Sequence, residues 1–138
     1  MDIKIEVKDL ETVKQRMEQR GEDFKAGMTK TMDKSIKYVH SQVPAYPPPI
    51  PTQTYIRTGT LGRSIHTQVK PQGKSITGII GTNLKYAPYV IKDLSQPKPH
   101  QAKPHIGRWW TLEKVVEKQS AAIQSIFDEW IKEVLSRK

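Results

Sequence analysis

Cysteine is absent from this sequence of 138 residues. The chain therefore forms no disulfide and offers no thiolate as a nucleophile or metal ligand, and the absence fits a reducing cytoplasm. Long apolar runs are missing too, since no segment approaches the ~18 apolar residues that span a membrane. The first residues, MDIKIEVKDLETVK, alternate charged and apolar side chains, unlike a signal peptide. We therefore expect one domain that folds around an apolar core.

Acidic residues are scarce in the middle of the chain. Residues 34–110 hold 11 Lys and Arg residues but a single acid, Asp93, whereas the two ends are close to neutral. A segment of this kind could face DNA, an acidic protein surface or an anionic membrane, or could be a solvated basic surface. A hydrolytic site with two carboxylates would have to be built from the faces of the predicted helices.

The four histidines lack the neighbours that chemistry requires. His100 and His105 are five residues apart in a proline-rich loop, which is not the i, i+4 spacing of a helical zinc pair. A nuclease could use His66 or His105 with nearby lysines, but no acid is placed to orient either ring. The segment 58–64 contains two glycines but lacks the Gly-Lys-Ser/Thr ending of a phosphate-binding loop. The sequence thus predicts no enzyme, catalytic residue, metal or cofactor.

The remaining pattern predicts an α+β domain over 1–138, in which an antiparallel sheet has a long N-terminal helix and a C-terminal helix packed on one face. Apolar and charged residues alternate over 3–7, as in a short edge strand. Apolar residues then recur at helical spacing over 10–43, which predicts one long helix with Gly21 as its weak point. The segment 1–43 is therefore expected to be a strand followed by this helix.

Proline and turn residues divide the middle of the chain. Residues 44–56 contain five prolines and are expected to form a stiff surface loop or a recognition strip for an aromatic groove. Residues 57–91 are predicted to form a hairpin, with strands at 63–70 and 75–82, and a third extended segment at 86–91.

A long basic loop, 92–108, precedes the predicted C-terminal helix, 109–138. We expect this loop and the proline-rich loop to be mobile in the isolated subunit and ordered on assembly. Trp109 and Trp110 follow Arg108 and could stack on single-stranded bases. Packing in the core or at a subunit interface is the more common use of such a pair.

Four motifs occur in order between residues 43 and 90. They are Val43-Pro44, Arg57-Thr58-Gly59-Thr60-Leu61-Gly62-Arg63-Ser64-Ile65, Ile80-Gly81-Thr82-Asn83 and Tyr86-Ala87-Pro88-Tyr89-Val90. Together they resemble the tailed-bacteriophage proteins known as head–tail joining, neck or tail-completion proteins, a family that includes minor tail components of siphophages. Residues 91–94 depart from the family pattern, because Ile-Lys-Asp-Leu replaces the usual Glu-x-Gly-Thr element.

The resemblance implies a structural virion protein that joins head or neck to tail, or completes the upper tail, by assembling into a ring. It would lie in the neck or tail of the virion after assembly in the host bacterial cytoplasm. The implied partners are further copies of the chain and neighbouring neck, connector or tail proteins, with DNA in the channel as an open alternative and no membrane. A small basic nucleic-acid-binding protein is the alternative function.

Two sets of residues follow from this comparison. The motif residues are Thr58, Gly59, Leu61, Ser64, Gly81, Thr82, Tyr86, Ala87 and Tyr89. The candidates for facing a partner or a polyanion are Arg57, Arg63, Lys92, Lys98, Lys103, Arg108, Trp109 and Trp110. Within the turn, we expect Gly59 to supply a positive φ, Leu61 to anchor the core and Ser64 to bond to local backbone.

Overall fold

The computed structural model describes residues 1–49 and 59–137. Its elements alternate between strand and helix, which makes a mixed α+β fold. In chain order they are β1 (Asp2–Val7), α1 (Glu11–Gln19), α2 (Phe24–Ser41), α3 (Thr60–Ser64), β2 (His66–Gln72), β3 (Ser75–Gly81), α4 (Ala87–Ile91), α5 (Leu112–Lys118) and α6 (Ser120–Ser136). A short 3₁₀ turn, Lys103–His105, lies between α4 and α5.

The sheet of the described residues has three antiparallel strands in the order β1-β3-β2. The predicted hairpin is confirmed, because β2 and β3 pair from His66↔Gly81 to Gln72↔Ser75. Gly73, with a φ of 59°, supplies the left-handed conformation that its two-residue turn needs. The predicted edge position of the first strand is also confirmed, because β1 pairs with β3 alone.

One face of the sheet packs against α2, and the other carries mostly polar side chains around the buried Ile79. Ile76 and Ile80 of β3 are fully buried on the helix side. Gly78 lies between them, and a Cβ there would lie 2.6 Å from Sδ of Met32 and 3.5 Å from Cδ1 of Ile36. The missing side chain therefore lets α2 approach the central strand closely.

The prediction of one long helix over 10–43 is wrong, because α1 ends and α2 starts afresh after a break. Gly21 has a φ of 70°, and its N–H donates to the carbonyl of Glu18 at 3.0 Å, while the N–H of Glu22 donates to that of Met17 at 2.9 Å. These two bonds form a glycine C-cap of the Schellman type. Asp23 then caps α2 by accepting from the N–H of Ala26.

The predicted third strand at 86–91 is also wrong, because these residues form helix α4. Pro88 lies in the first turn, where a helix tolerates the missing N–H. Ala87 and Ile91 are fully buried on one side of α4. A short apolar segment with one proline fits either element, and packing selects the helix.

The predicted C-terminal helix is divided into α5 and α6 at Gln119, and its first residues, 109–111, are not helical. Thr111 caps α5 as its sequence suggests, since its side chain accepts from the N–H of Lys114. Helix α6 packs across α2, with Trp130 close to Gly27 and stacked on Phe24 at a ring distance of 6.3 Å. No helix in the described ranges is long and apolar enough to cross a membrane.

Candidate interaction surface

Residues 59–64 of the second motif form a tight turn that leads into β2. Gly59 has a φ of 77° and precedes α3, so the expected left-handed glycine is present. Leu61 is buried in the core, at 4% exposure. Ser64 donates from Oγ to the carbonyl of Leu61 at 2.6 Å, which is the local backbone bond that the sequence predicts. Arg57 and Thr58, the first two residues of the second motif, lie outside the described residues.

A hydrogen bond between two hydroxyl groups connects this turn to the end of the hairpin. Ser64 Oγ lies 2.7 Å from Oγ1 of Thr82, which is fully buried. Because the Ser64 proton is used on Leu61, the Thr82 hydroxyl donates to Ser64. Thr82 Oγ1 also accepts from the N–H of Leu84 at 3.2 Å. Two motifs that are separate in the sequence thus form one bonded unit.

The fourth motif presents two tyrosines to solvent. Tyr86 is 47% exposed and Tyr89 is 49% exposed, whereas Ala87 between them is fully buried. At a spacing of three residues the two rings lie on the same side of the short helix. Ala87 therefore anchors the segment, and the tyrosines are available for contact.

Hydrogen bonds of the buried residue Gln101 connect the basic loop 92–108 to helix α4. Gln101 is 6% exposed, and its Nε2 donates to the carbonyls of Val90 at 2.8 Å and Trp109 at 3.1 Å. Its own N–H donates to Lys92, and the N–H of Ala102 donates to Tyr89, at 2.9 and 2.8 Å. The loop is thus anchored at its centre, which was not evident from its composition.

Asp93 is the single acid of the basic segment, and its carboxylate is already engaged. It accepts from the N–H of Ser95 at 2.9 Å and from the hydroxyl of Thr111 at 3.2 Å. These bonds, chiefly the one from Ser95, hold the pKa of Asp93 below its ordinary value of 3.8, with a further contribution from the charge of Lys114. The group is therefore a structural anion and is poorly suited to accept a proton.

Trp109 and Trp110 hold the proline-rich segment against the domain. The Trp109 ring lies 5.0 Å from that of Tyr46, and Trp110 donates from Nε1 to the carbonyl of Ala45 at 3.3 Å. Arg108 donates to the carbonyl of Pro48 at 2.9 Å. The described part of the proline-rich loop, residues 44–49, thus contacts an aromatic groove of its own chain, and both tryptophans are half-buried.

The remaining predicted contact residues differ in exposure. Arg63, Lys98 and Lys103 are exposed, whereas Lys92 is half-buried and Arg108 is half-buried and bound to the proline-rich segment. Lys98 is the one that adjoins Tyr89: a shallow cavity of about 450 Å³ is lined by Tyr89, Lys98, Pro99, His100 and Gln101. We call Tyr86, Tyr89, Lys98 and His100 the tyrosine–lysine surface.

Histidine and acidic side chains do not form a metal-binding cluster in the described residues. No three His, Asp or Glu residues within 1–49 and 59–137 are placed to hold a metal ion. His105 lies edge-on to Trp109, and burial together with the nearby charge of Arg108 lowers its pKa. The ring is thus a neutral packing group at pH 7, and no carboxylate is bonded to it in the described ranges.

Sequence reasoning missed Gln101 and Tyr46. Tyr46 accepts a bond from the N–H of Gly62 at 2.6 Å, which joins the proline-rich segment to the motif turn. An isolated glutamine or tyrosine in a loop carries no periodic signal, so neither could be identified from spacing. A comparison of the chain with protein-family models, curated proteins and solved structures found no match.

Proposed function

We propose that this chain is a structural protein of a tailed bacteriophage that joins head or neck to tail, or completes the upper tail, by ring-like self-assembly. The observation that carries the proposal is the Ser64–Thr82 hydroxyl pair. It joins two motifs of the resemblance in one hydrogen-bonded turn. The adjacent tyrosine–lysine surface supports a role in contact with other proteins, because it is shallow, exposed and basic.

Sedimentation velocity and negative-stain electron microscopy over a range of protein concentrations test this function. We expect closed oligomers with one defined number of copies, because heterologous contacts that close on themselves generate rings. A chain that stays monomeric at all concentrations, alone and when mixed with lysate of phage-infected cells, would contradict the proposal.

The tyrosine–lysine surface favours a second candidate, binding of single-stranded nucleic acid. Exposed Tyr86 and Tyr89 offer faces for base stacking, and Lys98 offers a phosphate contact. Stacking contributes about 1–3 kcal/mol per base, and phosphate contacts weaken steeply with salt. The half-buried Trp109 and Trp110 have a packing role and no longer support this candidate.

Fluorescence anisotropy with a labelled single-stranded oligonucleotide at low and moderate salt separates the two functions. If nucleic-acid binding is the function, the monomer binds tightly, and Tyr86→Ala with Tyr89→Ala weakens binding more than Tyr38→Ala. Tyr38 is a matched control because it is an exposed tyrosine on α2, away from this surface. The assembly function predicts weak binding that is equal in all three proteins.

A further inference from the structure

The outer edge of β1 has unpaired backbone groups. Thr82 donates from its N–H to the carbonyl of Met1 at 2.9 Å, which fixes the alternation of the β1–β3 ladder. The odd-numbered residues of β1 therefore bond to β3, while the N–H and C=O groups of Asp2, Lys4 and Glu6 point away from the sheet. None of these outward-pointing groups has a hydrogen-bond partner among the described residues.

The outer edge of β2 is open in the same way. The hairpin closes at the Gln72–Ser75 pair, so the even-numbered residues of β2 bond to β3. The backbone groups of Thr67 and Val69 and the carbonyl of Pro71 point outward, again without a partner in the described ranges. Proline has no N–H, so this edge offers a neighbouring strand the N–H groups of Thr67 and Val69 only.

The two edges carry complementary charges on the polar face of the sheet. The register across β3 places residues of β1 and β2 in common rows, which are Asp2–Gly81–His66, Lys4–Ile79–Gln68 and Glu6–Thr77–Lys70. The β1 edge therefore contributes both acids of this face, and the β2 edge contributes basic or neutral side chains only.

We propose that the β1 edge of one copy pairs in parallel with the β2 edge of the next copy, so that the sheet continues from subunit to subunit. This inference rests on the self-assembly proposed above and names its contact. If the rows of one sheet continue into the sheet of the next copy, Glu6 would lie beside Lys70 of that copy, and Asp2 beside its His66. Opposite charges at such cross-strand positions favour pairing.

The charge pattern selects this register. A shift of two residues in one direction places Lys4 beside Lys70, and a shift in the other direction places Glu6 beside the neutral Gln68 instead of Lys70. A shift of one residue would bring polar side chains to the apolar face. When the rows of the two copies are aligned, Lys4 lies beside the neutral Gln68, so no like charges meet.

The apolar side of the β1 edge supports the same contact. A groove of about 460 Å³ runs between β1 and α6, lined among others by Ile5, Val7, Ile123, Phe127 and Ile131. Ile5 and Val7 are half-buried there. A neighbouring β2 strand would bring Val69 beside Ile5 and Pro71 beside Val7 and cover this apolar surface.

Head-to-tail pairing uses both edges of every copy. Pairing of two β1 strands around a twofold axis also sets Lys4 beside Glu6, but it leaves both β2 edges open and stops at a dimer. Heterologous pairing removes every exposed edge when the ring closes, and exposed edges are a liability that proteins avoid.

Cysteine cross-linking tests this contact directly, because the chain has no cysteine of its own. We propose the double variant Glu6→Cys with Lys70→Cys. Within one copy these residues lie on opposite sides of β3, roughly 10 Å apart, which is too far for a disulfide. Mild oxidation should therefore give a ladder of cross-linked oligomers on a non-reducing gel.

The controls separate this contact from self-assembly in general. Glu6→Cys with Lys74→Cys, which moves the second thiol to the exposed hairpin turn, should give no ladder. A dimer band from Lys4→Cys with Glu6→Cys, two positions that the twofold β1 contact would place side by side, would support that contact and overturn the head-to-tail inference. Oligomers in sedimentation without a ladder would also overturn it and leave the proposed function standing, whereas a monomer throughout would overturn both.

A charge exchange provides a second measurement on uncross-linked protein. Glu6→Lys and Lys70→Glu should each weaken association by about 2- to 25-fold, because each replaces an attraction by a repulsion. The double exchange should restore it. Lys74→Glu makes the same charge change outside the strand and should leave association unchanged. Equal losses from Lys70→Glu and Lys74→Glu would contradict the inference.

Discussion

The hydroxyl of Thr82 connects three parts of the molecule through one buried atom. It donates to Ser64 of the motif turn and accepts from Leu84 at the start of the next segment. When a buried polar group loses its hydrogen-bond partner, the loss of stability exceeds the net contribution of the bond, because the remaining group is left unsatisfied. The position is therefore sensitive to any residue that lacks a hydroxyl.

We expect Thr82→Val to lower the free energy of unfolding by about 1–3 kcal/mol, because valine keeps the shape but leaves the N–H of Leu84 unpaired. Urea denaturation measures this loss. In a Ser64→Ala background the same change should cost less, because the two hydroxyls no longer interact. Additive losses in the double variant would show that the pair contributes nothing.

Asp93 makes the stability of the basic loop depend on pH. Its pKa in the folded protein lies below the ordinary value of 3.8. The stabilisation is therefore fully present above that value and is lost as the pH falls through the folded pKa. Asp93→Asn should destabilise the protein at about pH 7 by at most about 1 kcal/mol.

Urea denaturation at about pH 7 and about pH 3 tests the sign of this effect. The difference between the wild type and Asp93→Asn should narrow at the lower pH. A difference that is constant with pH would mean that the carboxylate charge has no role.

At the scale of elements, some features follow from local sequence and others do not. The edge strand and the hairpin were predictable, because alternation and a Gly-containing turn are local signals. The break at Gly21 was visible as a weak point, but whether the helix continues depends on packing of α1 against α6. The helix at Ala87–Ile91 was not predictable, because its burial is decided by residues that are distant in the sequence.

The candidate surface was predictable in part. The exposure of Lys98 and the burial of Leu61 agree with their patterns, whereas Trp109 and Trp110 contact the proline-rich segment more than 60 residues earlier. Contacts across that separation leave no trace in local periodicity. The residues that were expected to meet a partner therefore include several that meet their own chain.

The break between α1 and α2 gives a test of backbone strain without steric conflict. A Cβ at Gly21 would meet no atom within 4 Å, but its φ is 70°. We expect Gly21→Ala to cost about 1–2 kcal/mol from the left-handed conformation alone. Gly21→Asn should cost less, because asparagine tolerates this conformation, and thermal unfolding followed by circular dichroism would rank the two. Equal stability of Gly21→Ala and the wild type would contradict the left-handed conformation of Gly21.

The anchored loop gives a second test at this scale. Gln101→Met keeps the length of the side chain but removes both bonds from Nε2, so it should cost about 1–3 kcal/mol. Hydrogen exchange should also become faster at the amides of Gln101 and Ala102. Gln96→Met, the same change at an exposed position in the same loop, should alter neither quantity. Fast exchange of both amides in the wild type would instead support the mobile loop that its composition suggests.

At the scale of the whole molecule, one apolar cluster connects all the helices with the sheet. It includes Met17 of α1, Met32 of α2, Ile80 of β3, Ile91 of α4 and Phe127 of α6. A chain with one continuous core of this size is expected to unfold in a single cooperative step. Cooperative unfolding would therefore support the prediction of one domain over 1–138.

Tryptophan fluorescence provides local probes for this prediction. A variant with Trp109→Phe and Trp110→Phe reports on α6 through Trp130, and Trp130→Phe reports on the basic loop. In each variant we expect the urea midpoint from fluorescence to coincide with that from circular dichroism. Midpoints that differ between the two signals would indicate that the loop or the helix unfolds separately.

The pairing of β1 with β3 has a consequence during synthesis. Each residue of β1 finds its partner about 70 to 80 residues later in the chain. At a translation rate of 5–20 residues per second, β1 waits roughly 4 to 16 s for that partner to be made. During this interval β1 has no partner strand, and we expect the alternating charges of Asp2, Lys4 and Glu6 to disfavour its association with other nascent chains.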